Sequence, residues 1–468
     1  MNLKEIIIDG SDFALILNDS EKEYEFCTSY EYARNKVRDY IFLGLFENGE
    51  DIFEELQRHL SLRYCKGFII NKEIFNTKDG RDKYHKILKG FSSSIEALIL
   101  VKNIYNNALI AARYNTRKYS PKTFCITGSD EREVLCEMLY EILSRKGKTL
   151  RSLNVCGAWQ KFLEPLLALD ESTEYCVINI DCAKNNISKT AANILTSNSV
   201  IFSKTSFNLT KKYKDKEGYI DEIMNILCCA KNIDEVFTYE ENDIINSNLP
   251  QQENLNIVYE YMIKQDTAPV SKNEKEISYK DLIRFKTKNY APYFPRCAVM
   301  SALCAKKAGI DKKTIAKVLK DFREEYPLVI EKKLENNCYS CICTEEHTHY
   351  SIIKGLKYFC EKYRNFKKII VLSAIPQLEQ YSAEIHNDII ELMAREAFDT
   401  AVLIDMEDFS PYYRKLDKFV QIKNISSNDG FLSENKLIEM GLFLKGKIDK
   451  DTAIFVFMQK SLNPEFLF

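Results

Sequence analysis

The chain contains 468 residues, enough for two to four domains, with 45% hydrophobic and 29% charged residues, as in ordinary globular proteins. Its 66 Lys and Arg nearly cancel its 68 Asp and Glu. The net charge of -2 therefore gives no electrostatic reason to expect nucleic acid or an anionic membrane as a partner. No apolar run approaches the roughly 20 residues of a membrane-spanning helix, and the first 20 residues lack the basic-then-apolar order of a secretion signal. An odd number of scattered cysteines, 15, is typical of reduced core thiols, so we expect a cytoplasmic protein.

The first part of the chain, residues 1–118, has the pattern of a small α/β domain followed by a linker helix. Short apolar runs predict strands at 5–8, 13–17, 40–45 and 67–71, around one predicted helix at 52–62. Residues 92–114 carry apolar side chains near helical spacing after a serine cluster suited to capping, which predicts a second helix.

The second part, residues 119–325, alternates strands and helices. Strands are predicted at 123–127, 174–181 and 199–202, with helices at 131–144, 159–169 and 220–230. Partial period-2 patterning at 256–263 and 277–285 predicts a strand-like insertion, and a helical pair follows at 295–308 and 312–322. This order favours a mostly parallel sheet with helices on both faces.

The third part, residues 326–468, repeats the alternation. Strands are predicted at 338–343, 368–372, 400–404, 419–422 and 452–458, with helices at 351–363 and 385–397. Parallel strands separated by helices of this length predict a second doubly wound sheet.

A strand-turn-helix segment, TFCITGSDEREVLCEML at Thr123 to Leu139, resembles the ATP-binding turn of the Mur ligase family. The preceding ALIAARYNTRKYSPK is similar to the linker before that turn. Four further stretches agree in order and spacing with the family; they begin at Arg38, Ser172, Pro295 and Lys367. The resemblance covers nearly the whole chain, weakly per residue, and is closest in style to the branch that ligates D-alanyl-D-alanine to a UDP-N-acetylmuramoyl-tripeptide.

This resemblance implies an α/β fold of three domains. They would be an N-terminal domain with its linker helix, a central mononucleotide-binding parallel sheet and a Rossmann-like C-terminal domain. It also implies ATP-dependent formation of an amide bond between a carboxylate and an amine, in the pathway to peptidoglycan. Such a reaction requires a protein that holds ATP phosphates, binds magnesium and stabilises negative charge.

The phosphate loop itself departs from the family pattern. Thr127, Gly128 and Ser129 fit it, but the Gly-Lys-Thr that should follow is replaced by Glu131, Arg132 and Glu133. Glu131 adds bulk and charge where a glycine lets backbone N–H groups approach phosphate, Arg132 does not reproduce the lysine, and Glu133 lacks the hydroxyl that binds the metal. A carboxylate about 4 Å from a phosphate costs on the order of 4 kcal/mol at an effective dielectric of 20. The sequence therefore predicts a degenerate nucleotide site.

Other positions agree with this prediction. By the resemblance, Asn179 and Asn208 replace the expected metal ligands, and no residue is a firm metal ligand. His347 alone remains as a candidate catalytic residue, beside two glutamates in CTEEHTHYS. We expect no bound cofactor. ATP and magnesium enter only under the alternative hypothesis, an active peptide ligase in which Arg132, Glu133 and His347 take unusual roles.

A second constellation carries metal-ligand chemistry. Cys338, Cys341 and Cys343, followed by His347 and His349, could hold zinc. The favoured interpretation is a strand with core thiols, in which Cys341 and Cys343 share one face.

The sequence thus predicts a non-catalytic protein of the Mur ligase fold. Its role would be binding, regulation or an accessory biosynthetic step, with an unknown protein partner or a peptide- or nucleotide-like ligand in the cleft between domains. Nucleic acid and membrane are not expected partners.

Overall fold

The computed structural model describes most of the chain, and every structural statement below concerns the described residues. They are 13–16, 22, 24–28, 30–34, 38–45, 52–72, 78, 82, 95–152, 158–182, 186–195, 198–205, 213, 215–229, 233–240, 242–249, 256–258, 275–279, 282–287, 293–323, 329–334, 336–343, 349–375, 382–406, 421–426 and 434–457.

The first sheet has five strands in the order β1-β5-β4-β3-β2, parallel except for β1. Its strands are β1 (Phe13–Ile16), β2 (Glu25–Cys27), β3 (Tyr40–Leu43), β4 (Cys65–Asn71) and β5 (Ala97–Val101). Its helices are α1 (Tyr30–Ala33), α2 (Ile52–Leu60) and α3 (Ile104–Tyr119). The predicted strand at 5–8 lies outside the described residues.

The prediction of one helix over 92–114 is wrong, because its first half is the strand β5. The run Ala97–Val101 is apolar at every position, and its alternate side chains pack into two different apolar clusters, so both faces of β5 are covered. Short-range periodicity does not distinguish such a strand from a buried helix. The helix α3 begins only after Asn103, whose side chain accepts a hydrogen bond from the Asn106 backbone N–H.

The second sheet is entirely parallel, with six strands in the order β11-β10-β9-β6-β8-β7. Its strands are β6 (Lys122–Thr127), β7 (Lys148–Arg151), β8 (Thr173–Asn179), β9 (Asn198–Phe202), β10 (Ile233–Phe237) and β11 (Asn256–Val258). Its helices are α4 (Arg132–Leu143), α5 (Ala158–Leu167), α6 (Ile187–Ile194), α7 (Lys216–Cys229), α8 (Asp243–Asn246), α9 (Phe294–Lys307) and α10 (Lys312–Asp321). The predicted parallel sheet with helices is confirmed.

Alternate side chains of each strand divide the central core into two layers. Phe124 and Ile126 of β6 face a cluster built with α4, α9 and α10, whereas Cys125 between them faces a cluster built with α3, α5, α6 and α7. Strands covered by helices on both faces tend to have continuous apolar runs, as the middle of β6, Phe124 to Ile126, does.

Two details of this region differ from the prediction. The strand β11 adds to the parallel sheet beside β10 instead of lying in an insertion. The stretch 277–285 is not one strand but parts of two, β12 (Lys275–Tyr279) and β13 (Ile283–Thr287), which pair as an antiparallel hairpin with Ile277 opposite Phe285. Because both strands keep the same period of two, the turn between them is hidden in the pattern.

The first sheet is joined to the central one through a buried carboxylate. Glu164 of α5 is almost completely buried, and its two oxygens accept hydrogen bonds from the Thr28 backbone N–H at 2.8 Å and the Cys27 thiol at 3.3 Å. Apolar side chains of β2 to β5, α3 and α5 form one cluster around this contact. The position of the first sheet therefore depends on both apolar packing and a specific polar contact.

The third sheet has six strands in the order β14-β15-β19-β16-β17-β18, parallel except for the edge strand β14. Its strands are β14 (Val329–Lys333), β15 (Tyr339–Cys343), β16 (Lys367–Ser373), β17 (Thr400–Ile404), β18 (Gln421–Ile425) and β19 (Thr452–Phe457). Its helices are α11 (His349–Lys362), α12 (Ser382–Arg395) and α13 (Glu434–Lys445). The predicted doubly wound sheet is confirmed.

The cysteines of β15 are core thiols in this structure. Cys341 and Cys343 share one face and belong to the main apolar cluster, while the Cys338 thiol donates to the Asp449 carbonyl at 2.9 Å. Within the described residues no group of three His, Cys, Asp or Glu side chains could hold a metal ion. Because His347 and the side chain of His349 lie outside the described residues, the zinc alternative stays a prediction.

His386 is fully buried in α12. Its Nδ1 donates to the Ser382 carbonyl at 2.7 Å and its Nε2 accepts from the Ile375 backbone N–H at 3.0 Å. Both ring nitrogens are thus used to fix the start of α12 against the end of β16.

Among the helices that the structure describes, none combines the length and hydrophobicity required to cross a membrane.

Candidate functional site

The candidate site lies where the strand order of the central sheet reverses. The strand β6 has β8 on one side and β9 on the other, and the carboxyl ends of these three strands carry Thr127, Asn179 and Ser203. All three side chains are fully buried. Open parallel sheets bind ligands at this type of crevice, so the topology alone identifies the place where a nucleotide site is expected.

The turn after β6 begins at Gly128, which has a φ of 130°, a conformation that other residues avoid. A Cβ atom at this position would lie 2.3 Å from the Ser203 Oγ, so a side chain is excluded for steric reasons as well. The next two backbone N–H groups, of Ser129 and Asp130, both donate to the Lys204 carbonyl, at 3.3 and 3.0 Å. In a phosphate loop the backbone N–H groups cradle the anion, whereas these two are held by a neighbouring strand end.

Glu131 adopts a left-handed conformation, with a φ of 66°, at the start of α4. Its carboxylate is buried and faces the guanidinium of Arg296, on the first turn of α9. The Arg296 Nε donates to the Glu131 Oε2 at 3.0 Å, a second guanidinium nitrogen donates to Oε1, and the Cys297 thiol lies 3.6 Å from Oε2. The guanidinium also lies 5.3 Å from the ring centroid of Tyr239. Glu131 and Arg296 therefore form a two-point, buried ion pair.

The next two side chains are also paired inside the protein. The Arg132 guanidinium donates to the Ile180 carbonyl at 3.0 Å and lies 3.3 Å from the Asp181 carboxylate. The Glu133 Oε1 accepts from the Asn179 amide at 3.0 Å and lies 3.5 Å from the Lys161 ammonium.

Glu133 is ionised in this setting. Burial opposes ionisation, but the neighbouring Arg132 and Lys161 cations outweigh it and hold the pKa of the carboxyl below its ordinary value, with a further contribution from the Asn179 hydrogen bond. The site is consequently a network of ion pairs whose charges are compensated by the protein.

These residues do not fit magnesium and a triphosphate. The lysine equivalent, Arg132, is directed at the end of β8, and Glu133 provides a carboxylate where the family pattern has a hydroxyl. The Asn179 Oδ1 is buried and has no hydrogen-bond partner within the described residues, but it is a neutral oxygen. Magnesium in proteins is usually held through one or two carboxylates, and the Glu133 carboxylate beside Asn179 is already paired with Lys161. We therefore derive no phosphoryl-transfer step for this site.

The structure brings together most of the residues that the sequence singled out. Thr127, Gly128 and Ser129 form the turn, and Arg132 and Asn179 lie at its edge. Asn208 and the candidate catalytic His347 lie outside the described residues, so their roles stay predictions. Sequence reasoning missed Arg296 and Lys161, and no local signal marks them, since each lies in an apolar helix far along the chain from its partner.

Comparison with known proteins agrees with this reading of the fold. No protein-family model matches the chain, and no curated protein matches it. Among solved structures, however, the matches define the Mur ligase fold, which this chain has over most of its length.

Three of these structures show the extent of the likeness. MurF from Acinetobacter baumannii matches with a TM-score of 0.68 and 14% identity, over 94% of this chain and 92% of that one. MurF from Thermotoga maritima in complex with ADP matches with a TM-score of 0.65 and 14% identity, over 95% and 96%. A pseudomurein peptide ligase type C from Methanothermus fervidus matches with a TM-score of 0.57 and 16% identity, over 91% and 93%. The Mur ligase architecture predicted from the sequence is confirmed.

Proposed function

We propose that this chain is a non-catalytic protein of the Mur ligase fold that acts in the cytoplasm by binding. Its role is regulatory or accessory to a biosynthetic step, and its ligand is a protein partner or a peptide- or nucleotide-like molecule in the cleft between domains. The single observation that supports this proposal most strongly is the Glu131–Arg296 ion pair, buried at the start of the helix that would face the phosphates.

The energetic argument concerns what a nucleotide would have to displace. Removing one partner from a buried ion pair leaves an unpaired charge, at a cost of about 3–5 kcal/mol. Each 1.4 kcal/mol corresponds to a tenfold change in affinity, so displacing Glu131 from Arg296 alone would weaken nucleotide binding by a factor on the order of 10² to 10⁴. The Lys204 carbonyl adds to this by occupying two N–H donors of the loop.

Phosphate release is the experiment that tests the proposal. Purified protein is incubated with Mg-ATP and a panel of amino acids and dipeptides as acceptor amines, and Trp159, the single tryptophan, reports binding by its fluorescence. We expect no phosphate above the protein-free rate and no saturable change of fluorescence up to millimolar nucleotide. MurF from Thermotoga maritima, which was solved with ADP, serves as the positive control.

Amine-dependent phosphate release, or saturable binding at micromolar Mg-ATP, would contradict the proposal. The chain would then be an active ATP-dependent carboxylate–amine ligase with an atypical site.

A further inference from the structure

The buried pair at the start of α4 has the components of an occupied anion site. Arg296 supplies a planar two-point donor, Tyr239 lies beside the guanidinium, and Cys297 adds a thiol donor. The Glu131 carboxylate accepts from both Arg296 and Cys297. Arg296 and Glu131 are 5% and 3% exposed, so the anion and the groups that bind it are enclosed by protein.

We infer that Glu131 is a tethered ligand: its carboxylate permanently fills an oxyanion site whose cation is Arg296. The site itself would take a small carboxylate or another oxyanion, and the chain supplies that anion from the Glu131 side chain. This inference rests on the proposed function, because it explains how a protein without bound nucleotide can keep a buried arginine at this position.

The backbone at Glu131 supports this interpretation. Its φ of 66° lies in the left-handed region, which costs a residue with a side chain roughly 1–2 kcal/mol and a glycine almost nothing. The protein can tolerate this strain if the Glu131–Arg296 ion pair stabilises the fold by more than the left-handed conformation destabilises it. A side chain that merely pointed into solvent would offer no such compensation.

Chemical rescue tests the inference directly. In Glu131→Gly the backbone strain is relieved and the lost side chain has the shape of propionate, so sodium propionate is the probe. We expect the variant to be destabilised and its thermal unfolding temperature to rise saturably with propionate, relative to sodium chloride at equal ionic strength. The wild-type protein should show no such rise, because its own carboxylate occupies the site.

The matched control is the double variant Glu131→Gly with Arg296→Met, which has the same cavity without the cation. It should lose the propionate response. If Glu131→Gly does not fold, Glu131→Ala with acetate replaces it, since the methyl group then stands for part of the lost side chain. A folded single variant that responds to propionate no more than the double variant does would overturn the inference.

Its failure can be distinguished from failure of the proposed function. Nucleotide binding by the wild-type protein would contradict the proposed function whatever propionate does. Absence of propionate rescue in Glu131→Gly, together with absence of nucleotide binding by the wild-type protein, would contradict only the tethered-ligand inference.

Discussion

Replacing Arg296 by methionine should lower the free energy of unfolding by about 3–5 kcal/mol, because it leaves the buried Glu131 carboxylate without its guanidinium partner. Glu131→Gln should be destabilising for the complementary reason. The double variant, Glu131→Gln with Arg296→Met, should lose much less than the sum of the two, since it contains no uncompensated buried charge. Urea unfolding of the four proteins measures this cycle.

The chain offers a matched control for this experiment. Arg145, in the same domain, lies 3.5 Å from Glu141 in an i, i+4 pair, and its side chain is 58% exposed. Pairs of that kind contribute only about 0.3–0.5 kcal/mol, so Arg145→Met should be close to neutral. If Arg145→Met and Arg296→Met lowered the free energy of unfolding equally, the buried pair would contribute no more to stability than the exposed one.

Acidification should destabilise the first domain through His59. The ring is fully buried, stacks on Phe42 with centroids 3.9 Å apart, and has Tyr40 OH 3.0 Å from Nδ1. Burial lowers the pKa of His59 to about 3. One acid of α2 faces the ring: the Glu55 carboxylate lies 3.9 Å from Nε2, and this does not offset the effect of burial. The imidazole is therefore neutral in the folded protein at pH values well above 3.

The sign of the effect follows from which state binds the proton first. The unfolded chain takes up the proton near pH 6.5, whereas the folded protein does so only near pH 3. The stability linked to His59 is thus constant above about pH 6.5 and falls as the pH drops from there toward 3. Because each pH unit below the unfolded pKa is worth about 1.4 kcal/mol, acidification from pH 7.5 to 4.5 should remove about 2–3 kcal/mol of stability.

This prediction is measured as a difference between two proteins. Urea unfolding of the wild-type protein and of His59→Phe is followed from pH 7.5 to 4.5. Since other titrating groups, including the buried His386, are common to both, their contributions cancel. On acidification from pH 7.5 to 4.5 the wild-type protein should lose about 2–3 kcal/mol more stability than His59→Phe does. Parallel curves would mean that His59 has no part in the acid response.

The sequence was informative about architecture because three independent signals agree there. Apolar runs, helical periodicity and the Thr127-Gly128-Ser129 turn all indicated a strand, a sharp turn and a helix, and the structure has β6, the turn and α4 at those positions. The same signals failed at 92–114, where a fully apolar run is equally compatible with a strand and a helix.

The site was only half predictable for a different physical reason. That Glu131, Arg132 and Glu133 differ from the Gly-Lys-Thr of a phosphate loop can be seen in the local sequence. The residues that neutralise these charges cannot be identified from the local sequence. Arg296 lies 165 residues from Glu131 and Lys161 lies 28 from Glu133, and these contacts exist only once the helices have packed on the sheet. Long-range pairing converted an expected repulsion into an internal ion-pair network.

We propose that the protein's own charged side chains fill the pocket in which nucleotide phosphates would lie. The most direct test is calorimetric titration of Mg-ATP into the wild-type protein and into the triple variant Glu131→Gly, Arg132→Lys and Glu133→Thr, both checked for folding by circular dichroism. We expect no binding heat for the wild-type protein and measurable affinity for the triple variant. Micromolar binding by the wild-type protein, or a folded triple variant that still binds nothing, would contradict this proposal.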